Sequence, residues 1–239
     1  MSFETSNRKV FELFTRSRYI IPRNQRRYVW SKHNWQEFLD DIMLVTNGKE
    51  PTHFIGSMVL YSEKERENGI SHFVIIDGQQ RITTLAILLA SIAFWLKCFN
   101  AEDEFNGTKQ YLLAHDDSDK DHFTVMSDNN MSFSRILDGI IKTPIEQIKA
   151  HTQIESFINS LVVSNKDRNI VAAFIFFIQE ILNNSDKSPK ETTDYLVELR
   201  DTIVNKILYV SIIASSEEDA CTVFEMIDVQ YKCNTQIKK

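Results

Sequence analysis

The spacing of apolar residues divides the chain into short strand-like runs and longer stretches of helical period. In SKHNWQEFLDDIMLV, residues Trp35, Phe38, Leu39, Ile42 and Val45 recur at helical spacing, predicting a helix that ends at Asn47-Gly48. Asn34, with Glu37 three residues on, has the spacing of a capping box at its start. HFIGSMVLYS (53–62) and HFVII (72–76) are rich in β-branched and aromatic residues and predict two strands, with the polar EKERENG between them as a turn or loop. Ile82–Lys97 is apolar nearly all round, as a buried helix is. Asp77-Gly78 has the composition of a hairpin turn, but no alternating strand follows it, so the local order is strand, polar turn, helix.

Beyond these elements, residues 99–132 are acidic and polar and read as a loop or small insertion. Helical patterns follow in FSRILDGIIKT (133–143), PIEQIKAHTQIESFINSLV (144–162), NIVAAFIFFIQEILNN (169–184) and TTDYLVELRDTIVNK (192–206). KILYVSIIA (206–214) reads as a buried strand, after which Ser215 or Ser216 caps EEDACTVFEMI, with Ser215 and Glu218 at capping-box spacing. The class expected is α+β. Residues 1–100 form an α/β region and 101–239 a mainly helical one, the strand at 206–214 being a candidate to return to the first sheet.

Composition narrows the setting. With 239 residues, 43% hydrophobic content, 6 Gly and 4 Pro, the chain is a folded protein of one large or two modest domains. Its longest apolar segment, Ile82–Leu96, is interrupted by Thr83, Thr84 and Ser91 and falls short of the roughly 20 residues of a membrane span. MSFETSNRKVFELF has no signal-peptide core, and no membrane partner is expected. The three cysteines, Cys98, Cys221 and Cys233, make no CxxC pair, which fits reduced thiols in a cytoplasm.

The net charge of −6 hides an asymmetry: residues 1–32 carry +6 and the remaining 207 residues −12. A basic arm on an acidic body suits an anionic partner, the phosphates of a nucleotide or of nucleic acid; for Arg8–Arg18 a solvated arm explains the charge equally well. DDSDKDHFTVMSD alternates Asp117, Asp119 and Asp121, but His122 and Asp128 stand where a calcium loop needs Gly and Glu, so this too reads as a solvated acidic loop. The six histidines have no metal-ligand spacing, and no metal site is assigned.

The chemistry concentrates in IIDGQQRITTL (75–85). A strand that enters a helix through a Gly-containing turn leaves backbone N–H groups unpaired where the helix dipole favours an anion. Gly78 lets backbone approach a ligand, and Arg81 adds a forked, permanently charged donor. Gln79 and Gln80 offer amides, Thr83 and Thr84 hydroxyls, and Asp77 a carboxylate for a metal-bound water, a ribose hydroxyl or Arg81 itself. A generic polar strand-to-helix turn would read the same way taken alone. The loop is not of Walker A type, since GxxxxGK followed by Ser or Thr is absent.

Together, IIPRNQRRYVW (20–30), HFIGSMVL (53–60) and IIDGQQRITTL resemble the GmrSD-type N-terminal domain family of bacterial modification-dependent restriction and phage-defence proteins. The family's pattern runs IPxYQRxYxW, a helix, a hydrophobic FxGS strand and a DGQQRxTTL turn. EEDACTVFEMID is similar to its late element. Asn24 stands where the pattern has Tyr, Arg27 at a variable position, and Asp228 where it has Asn; the Gly expected soon after is missing. The resemblance implies a ParB/sulfiredoxin-like small sheet with helices, and a nucleoside triphosphate with Mg²⁺, its phosphates clamped by Arg81 and Arg26. It carries binding roles onto Gln25, Arg26, Tyr28, Gly78, Arg81 and Thr84, with Thr83 added from the turn. Catalytic roles fall on Asp77, Gln79, Gln80 and Arg81. DNA, in modified form or not, and a nuclease domain or subunit are the implied partners. The alternative is a non-catalytic module that senses a nucleotide or grips DNA.

Overall fold

In the computed structural model, residues 2–23, 25–127, 131–142, 168–183 and 188–237 are described. The fold is α+β, built on a six-stranded mixed sheet. In chain order the elements begin with β1 (Phe3–Lys9), α1 (Val10–Leu13), β2 (Ser17–Ile21) and α2 (Lys32–Thr46). Next come β3 (His53–Glu67), β4 (Ile70–Asp77), α3 (Gln79–Cys98) and α4 (Glu102–Leu112). Three short strands follow, β5 (Leu113–His115), β6 (Asp121–Phe123) and β7 (Val125–Ser127). The chain continues with α5 (Met131–Lys142), α6 (Arg168–Asn183), α7 (Pro189–Lys206), β8 (Ile207–Ala214) and α8 (Glu217–Ile237). The helix expected at 144–162 lies outside the described residues.

The sheet order is β1-β8-β3-β4-β2-β7, while β5 and β6 form a separate hairpin. β8 pairs antiparallel with β1 and parallel with β3, and so stands inside the sheet. Alternation along β3 and β8 sets two faces. Met58, Leu60, Ile207 and Tyr209 point into the main core with the helices. Val59, Ile212 and Ala214 point the other way, onto Ala220 and Val223 of α8. α3 lies at the centre of the main core, with Ile82, Leu85, Ile87, Leu88, Leu89 and Ile92 fully buried. By length and composition it could cross a membrane, yet 83% of its apolar window is buried by neighbouring elements, as in a core helix.

Several local expectations give way to tertiary structure. EKERENG is not a loop: β3 runs to Glu67, and the reversal is only Asn68-Gly69, both at positive φ (47° and 80°), a geometry whose twist matches antiparallel strands. The basic arm contains β1, an edge strand paired along its whole length with β8; its mostly exposed residues leave no apolar alternation to read. Within 99–132, α4 and three strands form, because Phe105, Tyr111, Leu112 and Val125 bury against α3 and its neighbours. α2 is capped one turn earlier than Asn34–Glu37 would place it, with the Ser31 N–H donating to Asn34 Oδ1 at 3.1 Å. Of the two serines before α8, Ser216 is the cap, its Oγ accepting the Asp219 N–H at 3.2 Å.

Candidate functional site

The strand-to-helix turn depends on Gly78. Its φ of +100° suits glycine, and a Cβ there would come within 2.7 Å of Met58 Cγ. β4 therefore ends at Asp77 and α3 begins two residues later, at Gln79, its first N–H groups lacking intrahelical partners. Arg81, one turn into α3, reaches back over this turn. Its Nη2 donates to Asp77 Oδ2 at 2.9 Å and its Nη1 to the Ile55 carbonyl at 3.0 Å.

Gly56 makes room for that guanidinium. Between Phe54 and Ser57, β3 carries one residue more than β8, a β-bulge with Gly56 at φ +98°. A Cβ on Gly56 would sit 2.3 Å from Arg81 Nη1. The bulge thus supplies the Ile55 carbonyl and leaves the space above the next residue to the arginine.

The first motif is fastened to this turn by amide and hydroxyl groups. β2 pairs with β4 only as far as Ile20–Val74; beyond that point Gln25 Nε2 donates to the Ile75 and Ile76 carbonyls, continuing the ladder with a side chain. Gln80 is buried. Its Oε1 accepts the Val29 N–H at 2.9 Å, and its Nε2 donates to the Arg27 carbonyl at 3.1 Å. Below it, donor counting fixes a chain of bonds: Trp35 Nε1–H can only donate, to Tyr28 Oη at 2.8 Å. Thr84 Oγ1 donates to the Gln80 carbonyl at 2.7 Å, so Tyr28 must donate to Thr84, also at 2.7 Å. Burial raises the Tyr28 hydroxyl well above its ordinary pKa, which keeps this proton in place.

Two spaces meet at this junction. A small cavity of about 20 Å³, room for one water, is lined by Gln25, Arg26, Tyr28, Gln79, Gln80 and Thr83 among others. Gln25 Oε1 is buried without a partner among the described residues. Beside it opens a cleft of about 440 Å³ lined by Gln25, Arg26, Trp30, Ile76, Asp77, Gly78, Gln79, Gln80, Arg81 and Phe224. Asp77, Gly78, Gln79, Arg81, Gln25 and Arg26 thus share one cleft. Tyr28 and Thr83 line only the small cavity, and Thr84 lies in the bond network beneath. Arg26 is exposed, and the cleft's charged side chains are two arginines and one aspartate.

Sequence reasoning assigned no site role to Trp30, Ile55, Gly56 or Phe224. All four stand inside the quoted motifs, but a bulge and a cleft wall are made by elements distant in sequence and leave no local periodicity. Among the described residues, no group of three or more His, Cys, Asp or Glu side chains could hold a metal ion.

The fold and site define an α+β protein with a cationic cleft at a strand–glycine–helix turn, closed on one side by a preceding Arg-rich segment. The sequence pattern of the GmrSD restriction endonuclease N-terminal domain matches residues 10–232, and the chain belongs to that family, which supports a restriction or phage-defence role. Comparison with curated proteins finds no match.

Proposed function

We propose that the protein binds a nucleoside triphosphate in the 440 Å³ cleft and couples its binding or hydrolysis to DNA restriction in a cytoplasmic defence system. The observation that carries this reading is the convergence of both motifs on one space: Gln25 and Arg26 from the first, Asp77 to Arg81 from the second. Unpaired N–H groups at the start of the 20-residue α3 favour phosphate, and the dipole adds to them. Arg81 is held ready by Asp77 and the Ile55 carbonyl, so little ordering remains when an anion arrives. Exposed Arg26 closes on the phosphates from the other side.

Mg²⁺ fits this donor set as a companion of the triphosphate, since it commonly takes one or two carboxylates with phosphate oxygens and water. Asp77 is the cleft's carboxylate and would contribute there; the ion would neutralise charge developing on the transferred phosphoryl group. Gln80 is committed to backbone groups, whereas Gln79 lines both the cleft and the small cavity and would orient an attacking water. Catalysis would rest on positioning and charge stabilisation by these residues. DNA, modified or unmodified, and a nuclease domain or subunit would be the partners of this step.

Thermal unfolding with each triphosphate and Mg²⁺ tests the reading. At a hundred times its dissociation constant a ligand adds about 2.7 kcal/mol, and Arg26→Ala should abolish most of that gain without loss of fold. No stabilisation of the wild type by any triphosphate would sink the proposal. If the cleft instead grips a DNA backbone, DNA affinity will fall steeply with salt and triphosphates will leave stability unchanged.

A further inference from the structure

The cleft has an aromatic wall that the phosphate chemistry does not use. Trp30, at the end of the first motif, and Phe224, on α8, both line it. Phe224 sits at the rim of the face on which Ala220 and Val223 pack against β3 and β8, and it remains 36% exposed. Trp30 is partly buried and braced edge-on by Phe38, with ring centroids 5.7 Å apart. Both rings therefore present apolar surface to the cleft beside its two arginines.

Part of the polar lining is engaged, leaving Arg26, Gln79 and Gln25 Oε1. Gln25 and Gln80 hold backbone groups, and Asp77 holds Arg81. Few donors and acceptors remain to read the edge of a base, whereas every base has a π face to stack. We propose that Phe224, with Trp30, forms the nucleobase platform of the cleft, stacking the base of a nucleoside triphosphate with little discrimination among bases. This inference rests on the triphosphate reading above and adds to it the base-binding residues and the base tolerance.

The test is calorimetric titration of the full chain with ATP, GTP, CTP, UTP and inorganic triphosphate, each with Mg²⁺. Stacking of this kind predicts that the nucleoside triphosphates bind about five- to a hundredfold tighter than inorganic triphosphate, and all four alike. Phe224→Ala and Phe224→Leu should both bring that ratio toward one, while Phe224→Tyr keeps it. Rescue by Leu would mean that Phe224 serves only apolar packing, and would overturn the proposal. So would a ratio unchanged in Phe224→Ala, or a strong preference of the wild type for one base. Wild type that binds inorganic triphosphate as well as nucleotides refutes the platform and leaves the phosphate site standing; wild type that binds neither refutes both.

Discussion

Tyr28 and Thr84 offer a quantitative test of how the first motif is tied to the helix of the second. Trp35 Nε1–H donates to Tyr28 Oη, Tyr28 donates to Thr84 Oγ1, and Thr84 donates to the Gln80 carbonyl. Tyr28, Trp35 and Thr84 are all buried. Tyr28→Phe removes one oxygen and takes the acceptor from the buried indole N–H, costing about 1–3 kcal/mol. Thr84→Val keeps the volume but strands the tyrosine proton, with a cost in the same range. In the double variant the Tyr28–Thr84 bond is gone from both sides, so its cost should fall below the sum of the single ones. The shortfall should be about 1 kcal/mol. Urea unfolding of the four proteins measures this through the midpoints at constant slope. Each single substitution should also lower Tm by roughly 2 to 12 °C for a chain of this size. Additive costs, or a Tyr28→Phe variant as stable as wild type, would refute the bond chain.

Two further outcomes follow from other parts of the molecule. Gly56→Ala combines a positive φ with a clash at Arg81 Nη1, so it should cost about 1–3 kcal/mol and also abolish stabilisation by triphosphate; a variant that keeps that stabilisation would show that the bulge does not position Arg81. Asp116 is bonded by His122 and by the Lys120 and Ser118 N–H groups, which hold its carboxyl down at about 2. Its depressed pKa in the folded state means that its contribution is complete above about pH 4 and is lost as pH falls toward 2. The stability gap between wild type and Asp116→Asn should therefore narrow across that window, and a gap independent of pH would contradict the assignment.

Elements whose own residues bury are legible in the sequence. α2 shows its stripe of Trp35, Phe38, Leu39, Ile42 and Val45, and α3 its all-round apolar character, because each sits where its pattern says it must. β1 is illegible because an edge strand with mostly exposed residues needs no alternation, only a neighbour with free carbonyl and N–H groups. β7 and α4 were hidden by the acidic residues around them, although Phe105 and Val125 carry the burial. The site divides in the same way. Gly78 and Arg81 act through local geometry and can be read from a short string. Phe224 reaches the cleft only because α8 packs across β3, β4 and β8, more than a hundred residues from the turn it faces. Gln80 shows the limit of reading chemistry from residue type: its amide looks available in sequence, and in the fold both its ends hold the main chain.

The most direct measurement of the central claim is a crystal structure with a non-hydrolysable triphosphate and Mg²⁺. The account predicts phosphate oxygens at the Gly78–Arg81 backbone, with Arg26 drawn onto them. Density for the triphosphate elsewhere on the protein, or a saturated crystal with this cleft holding only water, would contradict it.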